Sequence, residues 1–287
     1  MTPLRQRMIE AMHLRGLSRR TRDSYISAVS QLARHYNTSP DLLSEDELRQ
    51  YFLFLIVDRQ LAPNTTNVAL NAIKFFFIYT LRRPWPLRDL VRPPLPQKLP
   101  IVLTPQEIWR IIAQVRRPDY SVCLSVIAAC GLRLLEGVDL QVSQIDSARM
   151  QLVIRGGKGN KDRAVPLPSR TLSLLRAQWR LHRNPVWLFP GSPPKGQRHA
   201  CAAMDASGLQ KAFHKALVAA GVTKEATIHS LRHSWATHLV EHGVNIRVVQ
   251  LWMGHASPTT TAIYTHLTKQ VEECAAKALD ALTAGMP

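Results

Sequence analysis

Residues 254–267 read GHASPTTTAIYTHL and hold Tyr264, the one tyrosine that follows Tyr120. His255 sits just past a helix-stopping glycine, Ser257 and Pro258 start a new helix, and Tyr264 falls about two turns into it. A phenol there is either a packing aromatic or a nucleophile able to form a covalent ester, and the histidine is either a cap or a donor. A second set lies in IHSLRHSWATHLVEHG, a helix ending at Gly243 whose buried stripe is Ile228, Leu231, Trp235 and Leu239. His229 and Arg232, three apart, project from neighbouring positions on a different face, although most such pairs are solvated surface. His229 and His233 have the spacing of a zinc protease. Ser230 stands where that chemistry requires glutamate, so no metal site is expected.

Two further cations sit at positions where backbone geometry brings charge forward. CGLRLLEGVDL places Arg133 directly after a helix-ending Gly-Leu, with Leu132, Leu135, Val138 and Leu140 as its apolar face. RGGKGNKDR places Lys158 in a glycine-rich turn. A lysine in a turn is commonly just solvated, yet a hairpin tip of this kind slides readily next to a phosphate.

The elements that must position these residues are mostly helices. In SRRTRDSYISAVSQLARHY, Ser18 is an N-cap, and Tyr25, Val29, Leu32, Ala33 and Tyr36 follow at helical spacing. SEDELRQYFLFLI opens on a capping box, Ser44 with Glu47, and NTTNVALNAIKFFFIYTL sets Leu70, Ile73 and Phe77 on one side. The expected N-terminal part, residues 1–82, is a small domain of roughly four helices whose aromatics face its core. Residues 82–100 hold six of the 19 prolines and read as an extended linker, placed at 83–101. A second domain, 102–287, begins with the box Thr104, Pro105, Glu107 and contains an apolar helix ending at Gly131. In MQLVIRGGKGNKDRAVPLP the period changes to that of a β-hairpin or small sheet. Helices resume near 169–182 and 207–220, on either side of a Pro- and Gly-rich loop. The fold class is mainly α, with a small sheet in the second domain.

The chain carries 37 Lys and Arg against 20 Asp and Glu, a formal charge of +17. Fifteen basic and eight acidic residues fall at or before Lys98, and 22 and 12 after it, so both parts are independently basic. The excess is therefore not a basic tail, and it favours two surfaces facing one polyanion over a generally basic soluble protein. No apolar run approaches the roughly 18–20 residues a membrane span needs, and the N-terminus lacks the apolar core of a signal peptide. A cytoplasmic location is therefore expected. The four cysteines form no C-x-x-C pair, and Cys123 and Cys130 read as core thiols.

Taken together, GLRLLEGVDL, GGKGNKDRAVPL, HSLRHSWATHL and LWMGHASPTTTAIYTHL, in that order, resemble the tyrosine recombinase (phage integrase) family over nearly the whole chain. The similarity is to its bacterial Xer-like and integron-integrase-like group, with a SAM-like N-terminal domain and no room for an additional arm-binding domain. The 190–207 loop departs from the compact pattern of that group. The resemblance implies a two-domain clamp on double-stranded DNA and the catalytic set Arg133, Lys158, His229, Arg232, His255 and Tyr264. Glu136 matches an acidic position that supports the first arginine. It also implies strand exchange through a 3′-phosphotyrosyl link and a Holliday junction, on a homo-tetramer joining two sites, with no cofactor, metal or ATP. The segment after Tyr264 sets Val271, Cys274, Ala275, Leu279 and Leu282 at helical spacing, and is expected to dock on a neighbouring protomer or else on its own domain.

Those residue types suit that chemistry. Ionising a phenol at neutral pH costs roughly 4 kcal/mol, which oriented donors can offset. Two guanidiniums, Arg133 and Arg232, grip two non-bridging oxygens as planar forks. Lys158 is placed to protonate the leaving 5′ oxygen, His255 to donate to a non-bridging oxygen, and His229 to act as base or phosphate donor. A non-cutting DNA-binding protein of the same fold and a type IB topoisomerase-like strand transferase are the alternatives.

Overall fold

The structure is a computed structural model that describes residues 2–87, 100–156 and 162–254; the chain divides into two compact units after Lys98. Lys158, His255, Tyr264 and the 271–282 stripe lie outside the described residues.

The first unit contains α1 (Pro3–Leu14), α2 (Arg19–Tyr36), α3 (Glu45–Leu53) and α4 (Pro63–Phe75). Its starts follow from side-chain caps. Ser18 Oγ accepts the Thr21 amide at 3.2 Å, and Ser44 and Glu47 satisfy each other's amides at 3.3 and 2.8 Å. Both α3 and α4 continue into a π-helical turn, Phe54–Asp58 and Phe76–Thr80. Met12, Leu32, Leu48, Phe52, Ile73 and Phe76 form the centre of the core, so the aromatics here pack inward. Tyr25 and Tyr36, assigned to the stripe of α2, are only half-buried; Ile26 and Ala28 fill the buried positions beside Val29 and Leu32. Trp85 and Leu87, within the proline-rich stretch, also pack on this core.

The second unit runs through α5 (Pro105–Ala113), α6 (Pro118–Cys130), α7 (Leu134–Val138), β1 (Ile145–Asp146), β2 (Gln151–Ile154), β3 (Arg163–Pro166), α8 (Ser169–His182), α9 (Ala206–Ala219), α10 (Ile228–Glu241) and α11 (Ile246–Met253). The three strands form an antiparallel sheet in sequence order, with Leu152 opposite Val165 and Ile154 opposite Arg163. Helix α6 is buried on most of its surface, and burial pushes the thiols of Cys123 and Cys130 up, the latter to about 12. Leu135, assigned to an apolar face, is instead 50% exposed. The reason is length: α7 begins only at Leu134, so helical spacing does not run from Leu132 through Leu135 to Leu140.

The segment entering this unit is pinned to α10. The Leu103 amide donates to Ser234 Oγ at 2.8 Å, and the Leu103 carbonyl lies 2.8 Å from His238 Nε2. Asn184 ties down the loop after α8. Its Oδ1 accepts the amides of Val186 and Trp187, and its Nδ2 donates to the Ala200 carbonyl.

Candidate active site

Helix α6 stops at Gly131, whose φ of +61° a side chain rarely adopts; a Cβ there would stand 2.4 Å from the indole of Trp235. This close approach lets α10 lie against the end of α6. The chain then turns directly into α7, with Arg133 at its N-cap. Glu136 accepts the Arg133 amide through Oε2 at 2.7 Å and Nη1 of the same arginine through Oε1 at 2.8 Å. An acid in the first turn of a helix is favoured by the dipole, and this one also orients a guanidinium.

Glu136 has a second arginine partner. Arg163, the first residue of β3, meets it as a fork, Nη1 to Oε1 at 2.8 Å and Nη2 to Oε2 at 2.6 Å. Arg232 of α10 approaches with Nη1 3.8 Å from Oε2 while donating to the Gly131 carbonyl at 2.7 Å. One carboxylate thus gathers arginines from α7, β3 and α10. Burial would raise the Glu136 carboxyl, but the hydrogen bonds and charge of Arg163, then those of Arg133, outweigh it and hold the pKa at about 2.

The same three arginines cap α11. Arg163 Nε donates to the Trp252 carbonyl at 2.7 Å, Arg232 Nη2 to the Met253 carbonyl, and Arg133 Nη2 to the Gly254 carbonyl at 3.2 Å. The last carbonyls of a helix lack partners within it and form the negative end of its dipole, so three guanidiniums on three successive carbonyls satisfy both. Gly254 takes φ +61°, and a Cβ on it would lie 2.9 Å from Arg163 Cδ.

Exposure separates the three. The Arg133 side chain is 26% exposed, Arg163 7% and Arg232 1%. The expectation that His229 and Arg232 share an open face is therefore corrected. His229 is exposed, whereas Arg232 is covered where α10 meets Gly131 and the end of α11. The rings of His229 and His233 stand perpendicular, 4.4 Å between centroids. Desolvation, then the charges of Arg232 and Arg133, lower the His229 pKa. Burial, then His229 and Arg232, bring His233 to about 4. The same surroundings therefore disfavour the protonated form of both imidazoles.

Of the six site residues expected from the sequence, Arg133, His229 and Arg232 are described; the structure brings Arg133 and Arg232 together at Glu136, with His229 near enough for their charges to lower its pKa. The sequence reading passed over Arg163. Its signal was present: Arg163 and Val165 are two apart on one strand, hence on one face, and Val165 is fully buried. A charged residue on the inward face of a strand needs a partner, and Glu136 is that partner. Among the described residues, no group of three or more His, Cys, Asp or Glu is arranged to hold a metal.

Comparison with known proteins gives the family. Residues 102–271 match the model of the phage integrase family, and residues 4–87 match its N-terminal SAM-like domain. The integrase/recombinase-type protein y4qK of Sinorhizobium fredii is 42% identical over 265 residues, covering 92% of this chain and 84% of that one. The tyrosine recombinase XerD of Pseudomonas putida is 31% identical over 291 residues and 93% of each chain. Among solved structures, XerH bound to its difH substrate superposes with a TM-score of 0.62 at 25% identity, over 88% of this chain and 76% of that one. The Tn1549 integrase shares the fold at a TM-score of 0.67 with 17% identity, over 92% and 95% of the two chains. Together with the arginines that meet at Glu136, these matches show that the chain belongs to the phage integrase family of tyrosine recombinases.

Proposed function

We propose that the protein is a site-specific recombinase that cuts and rejoins double-stranded DNA, with Tyr264 as nucleophile. Attack of the phenol oxygen on a backbone phosphorus forms a phosphotyrosine ester and releases the 5′ oxygen, which takes a proton from Lys158. The ester keeps the energy of the broken bond, so a 5′-hydroxyl from a partner strand reverses the step without ATP. Arg133 binds one non-bridging oxygen as it stands and Arg232 the other once its bonds to the Gly131 and Met253 carbonyls give way, His229 accepts the phenol proton or donates to the phosphate, and His255 is a further phosphate donor. Removing one clamp of this kind is expected to cost on the order of 3–4 kcal/mol in the transition state.

The observation that carries the reading is the meeting of Arg133 and Arg232 at Glu136 and on the carbonyls of Gly254 and Met253. Those carbonyls end the helix from which the chain continues to His255 and Tyr264. The positive charge in both units supports a duplex held between two surfaces. On this reading a homo-tetramer exchanges strands between two sites through a Holliday junction, with the stripe at 271–282 docking on a neighbouring protomer.

DNA captured with the full chain from cells supplies the test. A nicked duplex built from the recovered site should trap an SDS-resistant protein–DNA adduct. A plasmid carrying two such sites should rearrange, and a plasmid lacking the site should stay supercoiled. Relaxation independent of the site would favour a topoisomerase, and binding without any adduct would leave a DNA-binding protein that does not cut.

A further inference from the structure

The arginines of the cluster do not have equal access to a ligand. Arg133 is the most open of the three at 26%, against 7% for Arg163 and 1% for Arg232, so what sets Arg163 apart is the engagement of all its nitrogens rather than its exposure. Each guanidinium nitrogen of Arg163 donates to protein: Nη1 and Nη2 to the Glu136 carboxylate and Nε to the Trp252 carbonyl. Its stem packs against Gly254, where even a Cβ would crowd it. Arg163 is thereby joined to three segments at once. It belongs to β3, on the hairpin whose sequence contains Lys158. It grips the acid that orients Arg133. It also holds the last turn of α11, after which the chain runs on to His255 and Tyr264.

We infer that Arg163 is a positioning residue for strand cleavage, a strut that fixes Glu136 and the end of α11 without touching the DNA phosphate. This rests on the recombinase reading. A planar fork is needed because it spans both oxygens of one carboxylate while its Nε reaches a carbonyl; lysine, a point charge on a flexible stem, supplies only one of those contacts at a time. Without the fork, Glu136 keeps Arg133 as its hydrogen-bonded partner and Arg232 at 3.8 Å. The acid that orients Arg133 is then no longer braced from β3, and the last turn of α11 loses the bond to its Trp252 carbonyl. Groups that orient the ligands of a metal site typically cost about 10- to 100-fold when removed, and an effect of that size is expected by analogy here.

The test uses the full chain and the nicked duplex described above. Arg163→Lys and Arg163→Gln are compared with the parent for thermal unfolding, duplex Kd and single-turnover cleavage. The expected result is a Kd within about threefold of the parent and a cleavage rate lower by about 10- to 100-fold. In a Glu136→Gln background the same Arg163 substitution should cost much less than in the parent, since both residues act through one contact. A residue that contacts phosphate would instead weaken Kd and cleavage in parallel, and a residue serving only stability would show additive losses. Either pattern overturns the inference, as does a folded Arg163→Lys that cleaves at the parental rate. If Arg163→Gln fails to fold, the lysine variant decides. Absence of cleavage by the parent would sink the recombinase reading and this role with it; a cleaving parent with an equally fast Arg163→Lys would sink this role alone.

Discussion

Arg133 Nη2 donates to the carbonyl of Gly254 at 3.2 Å, across 121 positions of sequence. The start of α7 and the end of α11 are therefore registered by a hydrogen bond before any DNA arrives. An arginine already held by Glu136 on one edge and a carbonyl on another loses little further freedom when it binds a phosphate, which is how a preorganised site lowers a barrier.

Gly254→Ala tests that registration. The residue lies at φ +61°, and the new methyl would meet Arg163 Cδ at 2.9 Å. Left-handed backbone costs a non-glycine residue about 1–2 kcal/mol, and displacement of the arginine stem adds to it. A loss of about 1–3 kcal/mol in chemical unfolding is expected, together with slower cleavage at unchanged duplex affinity. A variant as stable and as fast as the parent would show that α11 does not need this turn.

Acid should weaken the second unit through its imidazoles. The pKa of His233 in the fold is about 4, below the ordinary 6.5. As pH falls through 6.5 the unfolded chain takes a proton that the folded one refuses until about pH 4, so stability declines over that window. The contribution at pH 5 is at most about 2 kcal/mol. His229 acts in the same direction. Glu136, held at about 2 in the fold, adds to the decline only where the unfolded carboxyl begins to take up a proton, near 4.5 and below, so it contributes little between pH 7 and pH 5. Unfolding measured at pH 7 and pH 5 should show a smaller difference in His233→Gln than in the parent.

A basic surface lies away from the Glu136 cluster. Arg180, Arg183 and Arg198 line a cavity of about 600 Å³ between the end of α8 and the following loop, and among the described residues no ion pair includes any of them. Arginines without a carboxylate partner in a protein of this charge are expected to contact DNA phosphates. Replacing all three with glutamine should weaken duplex binding and flatten the plot of log Kd against log salt by about one unit of slope for each lost contact. An unchanged slope would place this cavity off the DNA path.

Much of this architecture was legible in the sequence because its signals are local. The boxes at Ser44 and Thr104, the stop at Gly131 and the alternation that gives β2 and β3 each depend on a few adjacent residues. The burial of Arg232 was not legible, because what covers it comes from Gly131 and Met253, far away in the chain. Leu135 misled for the opposite reason: its apolar character fits a helical stripe, but the helix is too short to carry one. Arg163 shows the middle case. Strand parity marks it as inward-facing, but only the fold shows that Glu136 and the Trp252 carbonyl are waiting there.

The most direct test of the central claim is peptide mapping of the adduct trapped on a nicked duplex, run beside Tyr264→Phe. DNA joined through its 3′ phosphate to the peptide containing Tyr264 is expected, with a phenylalanine variant that binds the duplex normally and forms no adduct. An adduct that persists in Tyr264→Phe, or that maps to any other residue, would contradict it.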